Sequence, residues 1–494
     1  MQSYLKIHPN DNVAVAVEGL KKGAPVSLDG RLIILRNEIP AGHKFALHDI
    51  PSGGKVIKYG FPIGHAAENI SVGSHVHTQN VHSDLNTLLE YKYHPQFTEL
   101  SPIPAQTFRG FKRPDGRVGI RNEVWIIPTV GCVNGIAKQI EVEAQKFIRG
   151  GLEAVVAYSH PYGCSQLGGD LLNTQKALCG MIRHPNAAGV LVLGLGCEHN
   201  RISELKKVLG PYEEERVKFL ITQDVDDEVE AALSLLKDLC GRAARCVREE
   251  IPASELVVGL KCGGSDGFSG ITANPLVGSL SDRLIAQGGS TILTEVPEMF
   301  GAETLLMQRC RSREVFDKTV ALINDFKSYF ISHNEPIDEN PAPGNKDGGI
   351  TTLEDKSLGC VQKGGTAPVE DVLAYGEPVS KKGLSLLQAP GNDLVATNAL
   401  MFSGVHLVLF TTGRGTPFGC AVPTVKIASN SDLAHRKGNW IDFDASRLLE
   451  GESMESLTTE FLQLVLDIAS GEKKAKSEAL DKRDLTIFKD GVTV

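Results

Sequence analysis

The chain has 494 residues, 41% of them hydrophobic and 22% charged, with a formal net charge of −9. That balance excludes a disordered chain, and without a long apolar run or a basic stripe it argues against membrane and nucleic-acid partners. The ten cysteines include no Cys-x-x-Cys pair, which argues against a disulfide framework or zinc finger and suits a reduced compartment.

At roughly 100 to 200 residues per domain, the length suggests three domains. The start, Met1-Gln2-Ser3-Tyr4-Leu5-Lys6, lacks the apolar stretch of a signal peptide, so the expected location is the cytoplasm. Residues 1–83 read as short strands, such as Val13-Ala14-Val15-Ala16-Val17 and Arg31-Leu32-Ile33-Ile34-Leu35, punctuated by Gly and Pro. This all-β module carries His43, His48, His65, His75 and His77. His75 and His77 share a face if their segment is a strand, a loose metal pair unless another domain completes the shell. Residues 84–110 turn polar and Pro-bearing and read as a linker.

Residues 111–250 alternate strand and helix: strands Val124–Pro128, Ala154–Tyr158, Gly189–Leu195 and Val217–Ile221, helices Ile136–Ile148, Leu171–Ile182 and Asp226–Leu239. A middle α/β domain with parallel strands follows from that alternation. Residues 251–494 repeat the pattern with strands Leu256–Leu260, Ser290–Thr294, Leu384–Gln388, His406–Phe410 and Thr424–Ala428. The helices there are Pro275–Gln287, Glu314–Ser332 and Glu455–Ala469. Asn340–Gly349 reads as irregular, and long loops in compact domains are often functional.

Six strands run into Gly-rich turns bearing Cys, Asp, Glu, Asn or Arg, near Cys164, Cys197, Cys262, Glu295, Asn392 and Arg414. Open α/β sheets bind ligands beyond the carboxyl ends of their strands, so the pattern argues for a catalyst. The run Cys262–Pro275 has several polar groups on a flexible backbone; the plainer reading is a turn before a helix. Glu295 and Glu298 suit a helix cap or a divalent cation. His160 and His199, each near a Cys, are candidates for proton transfer. Arg414 suits a substrate carboxylate because a guanidinium grips it with two hydrogen bonds. The charged run Asn345–Cys360 reads equally well as a solvated surface. No dinucleotide fingerprint, phosphate loop or serine-hydrolase elbow is present.

These motifs resemble a known family, the altronate and galactarate dehydratases. The resemblance is carried by Gly42-His43-Lys44, His75-Val76-His77, Pro128–Asn134, Tyr162–Gly168, Cys262–Pro275, Thr294–Gly301, Asn345–Cys360 and Thr412–Gly419, and spans essentially the whole chain. The His-Val-His element favours the altronate branch. The resemblance implies a β-clip (SAF-type) first domain, a middle domain used for homodimerisation and a Rossmann-like C-terminal domain with a mostly parallel sheet that carries the metal. It also implies Fe(II) or Mn(II), D-altronate as substrate and 2-dehydro-3-deoxy-D-gluconate as product, in hexuronate breakdown.

From the chemistry of losing a C2 proton and a C3 hydroxyl, the expected metal ligands are Asp266, Glu298 and Asp355, with Cys262 as a softer donor. Lys346, His160 and His199 are candidate bases, in no fixed order. Arg414, Asn274, Ser265 and Asn392 are the expected substrate contacts, and His43, His75 and His77 the possible contribution of the first domain. Two rivals stand beside this: dehydration of another sugar acid such as galactarate, and a sugar-acid-binding protein without turnover.

Overall fold

The computed structural model describes residues 3–85 and 87–491. The first module is all β and antiparallel. Tyr4–Leu5, Val13–Ala16, Lys44–Ala46 and His75–Val76 form one small sheet, Lys55–Lys58, Phe61–Ala66 and Val81–His82 another, and Pro25–Leu28 pairs with Arg31–Ile34. Val13–Ala16 is buried along its whole length, so its residues serve packing on both faces.

Among its described residues the segment after His82 has no regular element before Thr107, but it is pinned to the C-terminal region. The Gln96 amide donates to Gln308 O at 2.7 Å, Ile103 to Ala286 O at 2.9 Å, and the Tyr91 hydroxyl to Glu303 at 2.5 Å. Thr107–Lys112 then pairs antiparallel with Glu249–Pro252, closing the middle region where the chain enters and leaves it.

The middle sheet is parallel, in the order Ala154–Ala157, Glu123–Pro128, Ala187–Gly194, Val217–Ile221. The two-residue period of a strand divides its side chains. Val124 and Ile126 pack with Ala137, Ile140 and Leu236 of one helix pair, Asn134–Ala144 and Glu228–Ala243. Trp125 and Ile127 pack with Leu178, Ile182 and Leu205 of the other pair, Gly169–Arg183 and Ile202–Leu209. Both faces are covered, as parallel sheets require.

The C-terminal sheet has seven parallel strands in the order Val369–Leu373, Gly383–Leu387, Ser290–Leu293, Val257–Cys262, Leu407–Thr412, Thr424–Ala428, Phe443–Asp444. The chain moves from Val257–Cys262 to one side and later crosses to Leu407–Thr412 on the other. A crevice therefore opens at the carboxyl ends there. Helix Arg313–Ser332 shows how the flanking layer is specified: Ser312 accepts the Val315 N–H as cap, and Val315, Phe316, Thr319, Leu322, Ile323 and Phe326 make the buried stripe.

Two segments near the crevice differ from their sequence reading. Pro343–Asp347 forms a short helix, with Pro343 in its first turn. Within the run read as solvated or functional, Leu353–Cys360 is a helix capped by Thr352, and all eight of its residues are buried. Among the described residues no helix is long and apolar enough to cross a membrane.

Candidate active site at the carboxyl ends of the C-terminal sheet

Three strands and one helix deliver a buried charged cluster. Lys261 and Cys262 end one strand, Glu295 and Glu298 follow the next, Asp393 opens the helix after a third, and helix Leu353–Cys360 with its extension adds Lys356, Cys360 and Lys363. Glu298 lies 3.0 Å from Cys262 Sγ and 3.1 Å from Cys360 Sγ through Oε2, while its Oε1 meets Lys356 Nζ at 2.7 Å. The two sulfurs are 3.3 Å apart, and Lys363 Nζ is 2.9 Å from Cys262 Sγ. Lys261 contacts Glu295 and meets Asp393 at 2.9 Å. Glu295 has a φ of 69°, a left-handed backbone for a non-glycine residue, and such strain concentrates at functional sites.

Burial works against ionising Glu298, yet Lys356, Lys261 and Lys363 outweigh it and hold the carboxyl well below its usual range. Burial also opposes the charge on Lys356, but Glu298 raises its pKa overall. Glu295 moves up, pushed first by burial and then by Glu298, with Lys261 opposing. Lys261, Lys356 and Lys363 thus face Glu295, Glu298 and Asp393. Cys262, Glu298 and Cys360 bring one donor atom each to within 4.8 Å of one another and form a possible metal-binding site. A dication that displaced both thiol protons would leave the charge balance unchanged. The donor chemistry fits a borderline-soft metal.

The first module roofs this crevice. Lys44 and Lys58 grip Asp355 at 2.8 and 2.9 Å, all three with side chains at most 1% exposed. They share the carboxylate unequally: burial brings Lys44 down to about 8, whereas the pull of Asp355 outweighs burial at Lys58 and raises it. Thr352 donates to Ile63 O at 2.6 Å, and Glu354 accepts from Ser83 and Asp84. Gly42, at φ 82°, lets the seam close: a Cβ on the facing Gly267 would sit 2.1 Å from Gly42 O. Lys58, Tyr59, Ser265, Asp266, Asn274, Asp355, Lys356 and Cys360 line a small cavity of about 10 Å³. A different cleft, about 260 Å³, opens near Arg117, His184 and Lys382. It adjoins the amino ends of the strands at Val257 and Ser290, away from the polar turns.

The sequence candidates divide between these places. Cys262 and Glu298 meet in the cluster, and Asp355 is the roof's anchor. Asp266 braces its own loop: Oδ1 accepts from Ser269 and from Ser429 at 2.7 Å, and Oδ2 from Asn430 at 2.8 Å. A Cβ on Gly413 would fall 2.2 Å from Asp266 Cγ. Asn274 is engaged with Gly359 O and Thr411. The Ser265 hydroxyl is buried without a partner in the small cavity. Asn392 caps helix Asp393–Phe402, Arg414 is exposed, and Lys346 is half-buried in the short helix.

His160 and His199 lie in the middle region, not in this cluster. His160 is buried between Pro128 O, 2.8 Å from Nε2, and the Tyr162 N–H, 3.2 Å from Nδ1, and burial lowers its pKa. His199 Nδ1 accepts the Ser165 N–H at 3.0 Å beside Cys164. His43, His75 and His77 group together at the seam. The sequence reading did not select Lys44, Lys58, Lys261, Lys356, Cys360 or Lys363. Lys44, Lys261, Lys356 and Cys360 lay in or beside motifs of that reading, whereas Lys58 and Lys363 lay in none.

Comparison with known proteins covers the chain. The model described as Altronate/galactarate dehydratase SAF domain matches residues 2–84. D-galactarate dehydratase/Altronate hydrolase, second domain, matches 110–244, and D-galactarate/Altronate dehydratase, C-terminal, matches 253–493. The chain is 54% identical to the altronate dehydratase of Bacillus subtilis (strain 168) over 502 residues, covering 100% of both chains. It is 54% identical to the altronate dehydratase of Escherichia coli (strain K12) over 497 residues, covering 99% of this chain and 100% of that one. With galactarate dehydratase (L-threo-forming) of the same organism the identity is 35%, over 96% of this chain and 94% of that one.

Proposed function

The chain belongs to the D-galactarate/altronate dehydratase family, and from that premise we propose that it is a hydro-lyase converting D-altronate to 2-dehydro-3-deoxy-D-gluconate. The observation that carries the substrate is the identity of 54% to two altronate dehydratases along their full length, against 35% to a galactarate dehydratase. The buried thiol, carboxylate and ammonium cluster at the sheet's switch point supports the placement of the chemistry.

In this reading Cys262, Glu298 and Cys360 hold the metal, and their sulfur donors favour Fe(II) over Mn(II). When bound, the ion supplies a Lewis acid for the substrate's carboxylate end. Lys356, kept charged by Glu298, orients the substrate carboxylate, and Arg414 and the free Ser265 hydroxyl bind from the rim and the cavity. Lys44 is our choice of base: its Nζ stands at the seam on Gly349 O and Asp355, 2.8 Å from each, where opening of the seam would free it, and burial lowers its pKa to about 8. Its amine takes the C2 proton, and the resulting ammonium returns a proton to the departing C3 hydroxyl, which leaves as water. Lys346 is the second candidate; His160 and His199 would act only if the middle region reached the crevice. Asp266 holds the Cys262–Pro275 turn in shape, and Asn274 and Asn392 hold the backbone around it.

The small cavity of about 10 Å³ has room for about one water molecule, not for a six-carbon acid. Substrate therefore reaches the cluster when the seam between first module and crevice opens. The reading also takes the first module as a β-clip domain, residues 84–110 as linker, 111–250 as the middle domain, and 251–494 as a Rossmann-like domain. It also takes the protein as a homodimer formed through the middle region. Ten free cysteines suit the cytoplasm.

The test is anaerobic turnover of D-altronate and galactarate with Fe(II), with Mn(II) and after chelation. The 2-keto-3-deoxy acid is expected from altronate and is lost on chelation. Product from galactarate alone would overturn the specificity; no product from either would overturn the enzyme.

A further inference from the structure

His43, His75 and His77 form an imidazole cluster whose geometry follows from strand pairing. Lys44–Ala46 pairs antiparallel with His75–Val76, with Lys44 opposite Val76 and Phe45 opposite His75. Extending that register by one residue sets His43 opposite His77, and His75 and His77 share a face by the two-residue period. The ring centres are 4.8 Å apart for His43 and His77, 5.2 Å for His43 and His75, and 5.6 Å for His75 and His77. His43 Nδ1 and His75 Nε2 are 3.1 Å apart, close to the separation of two nitrogens bound about 2.1 Å from one ion.

Two of the rings have their other nitrogen tied from outside: His43 Nε2 is 3.2 Å from Asp347 O, and His77 Nδ1 is 3.1 Å from the Thr351 hydroxyl. Metal-binding histidines are typically fixed in this way, with the second nitrogen tied to a carbonyl, hydroxyl or water. Burial is the first cause that lowers the pKa of all three rings.

We propose that His43, His75 and His77 hold a first-row divalent cation that prefers nitrogen donors, a site separate from Cys262, Glu298 and Cys360. The three donor nitrogens do not all lie within 4.8 Å of one another in the metal-free arrangement, so the His77 ring turns toward the other two when the ion binds. Both supporting partners, Asp347 and Thr351, belong to the C-terminal region, so the ion fastens the first module over the crevice. The proposal does not depend on the substrate assignment.

The test is anaerobic Co(II) titration of the full-length, metal-free protein, followed by visible absorption. The expected result is one equivalent with weak ligand-field bands that survives in Cys262→Ser/Cys360→Ser, because nitrogen donors give no intense sulfur-to-cobalt charge transfer. His75→Asn/His77→Asn is expected to lose that equivalent. Thr351→Val, which removes only the hydrogen bond to His77, is expected to weaken it about 10-fold. Unchanged stoichiometry and spectrum in the folded His75→Asn/His77→Asn protein would overturn the proposal, as would loss of all cobalt bands in the double serine variant.

Discussion

The two parallel sheets place polar, Gly-rich turns at the same end of their strands but treat that end differently. In the C-terminal sheet, the turns around Cys262 and Glu298 are buried beneath a β module, and three lysines balance the acids. In the middle sheet, Cys132, Cys164 and Cys197 end three adjacent strands and are exposed, with no described module over them. Parallel topology makes a crevice in both cases. Removal from water is what turns one of them into a set of charges strong enough to hold shifted protonation states.

The largest difference is expected at the centre of the roofed end. Glu298→Ala would leave Lys356 charged and unpaired, costing about 3–5 kcal/mol; urea denaturation checks it, and a loss under 1 kcal/mol would mean the cluster is better hydrated than it looks. Asp355→Asn strips the shared counter-charge from Lys44 and Lys58, and the expected effect is of similar or slightly smaller size. That substitution should also make the seam, but not the middle sheet, exchange its amide hydrogens faster.

The pH dependence follows from Lys44. Burial lowers its pKa to about 8, so the free amine grows as pH rises through that value. Turnover at low substrate is expected to climb about tenfold per unit below the pKa and level off above it. A flat profile between pH 7 and 9 would remove Lys44 as the base. At the open end, His199→Ala should change stability by no more than about 0.5 kcal/mol, as substitutions away from buried networks usually do. A larger loss in the same urea measurement would show that this end, too, is covered in the working protein.

Much of the architecture was legible because apolar runs and helical stripes are local signals. Thr424–Ala428 is a strand with the residue limits read from sequence, and Ser290–Leu293 differs by one residue. Val369–Leu373 was missed because Glu370 and Asp371 interrupt its apolar pattern, and it lies at the sheet's edge. Helix Leu353–Cys360 was ambiguous because Glu354, Asp355 and Lys356 look solvated in one dimension. What buries them is remote: Lys44 and Lys58 lie 311 and 297 residues from Asp355. Cys262 and Cys360 are 98 residues apart, so a single sequence carries Cys262 and Glu298 as strand-end residues but gives no sign that Cys360 joins them.

We propose that the roofed crevice, not the open one, performs the dehydration. The direct test is anaerobic kcat/KM for D-altronate in Cys360→Ser and His199→Ala, each with its bound metal measured. The account predicts a loss of roughly 10³-fold or more for Cys360→Ser, the several kcal/mol that a metal contributes, and near-normal turnover for His199→Ala. Full activity in Cys360→Ser with collapse in His199→Ala would contradict it.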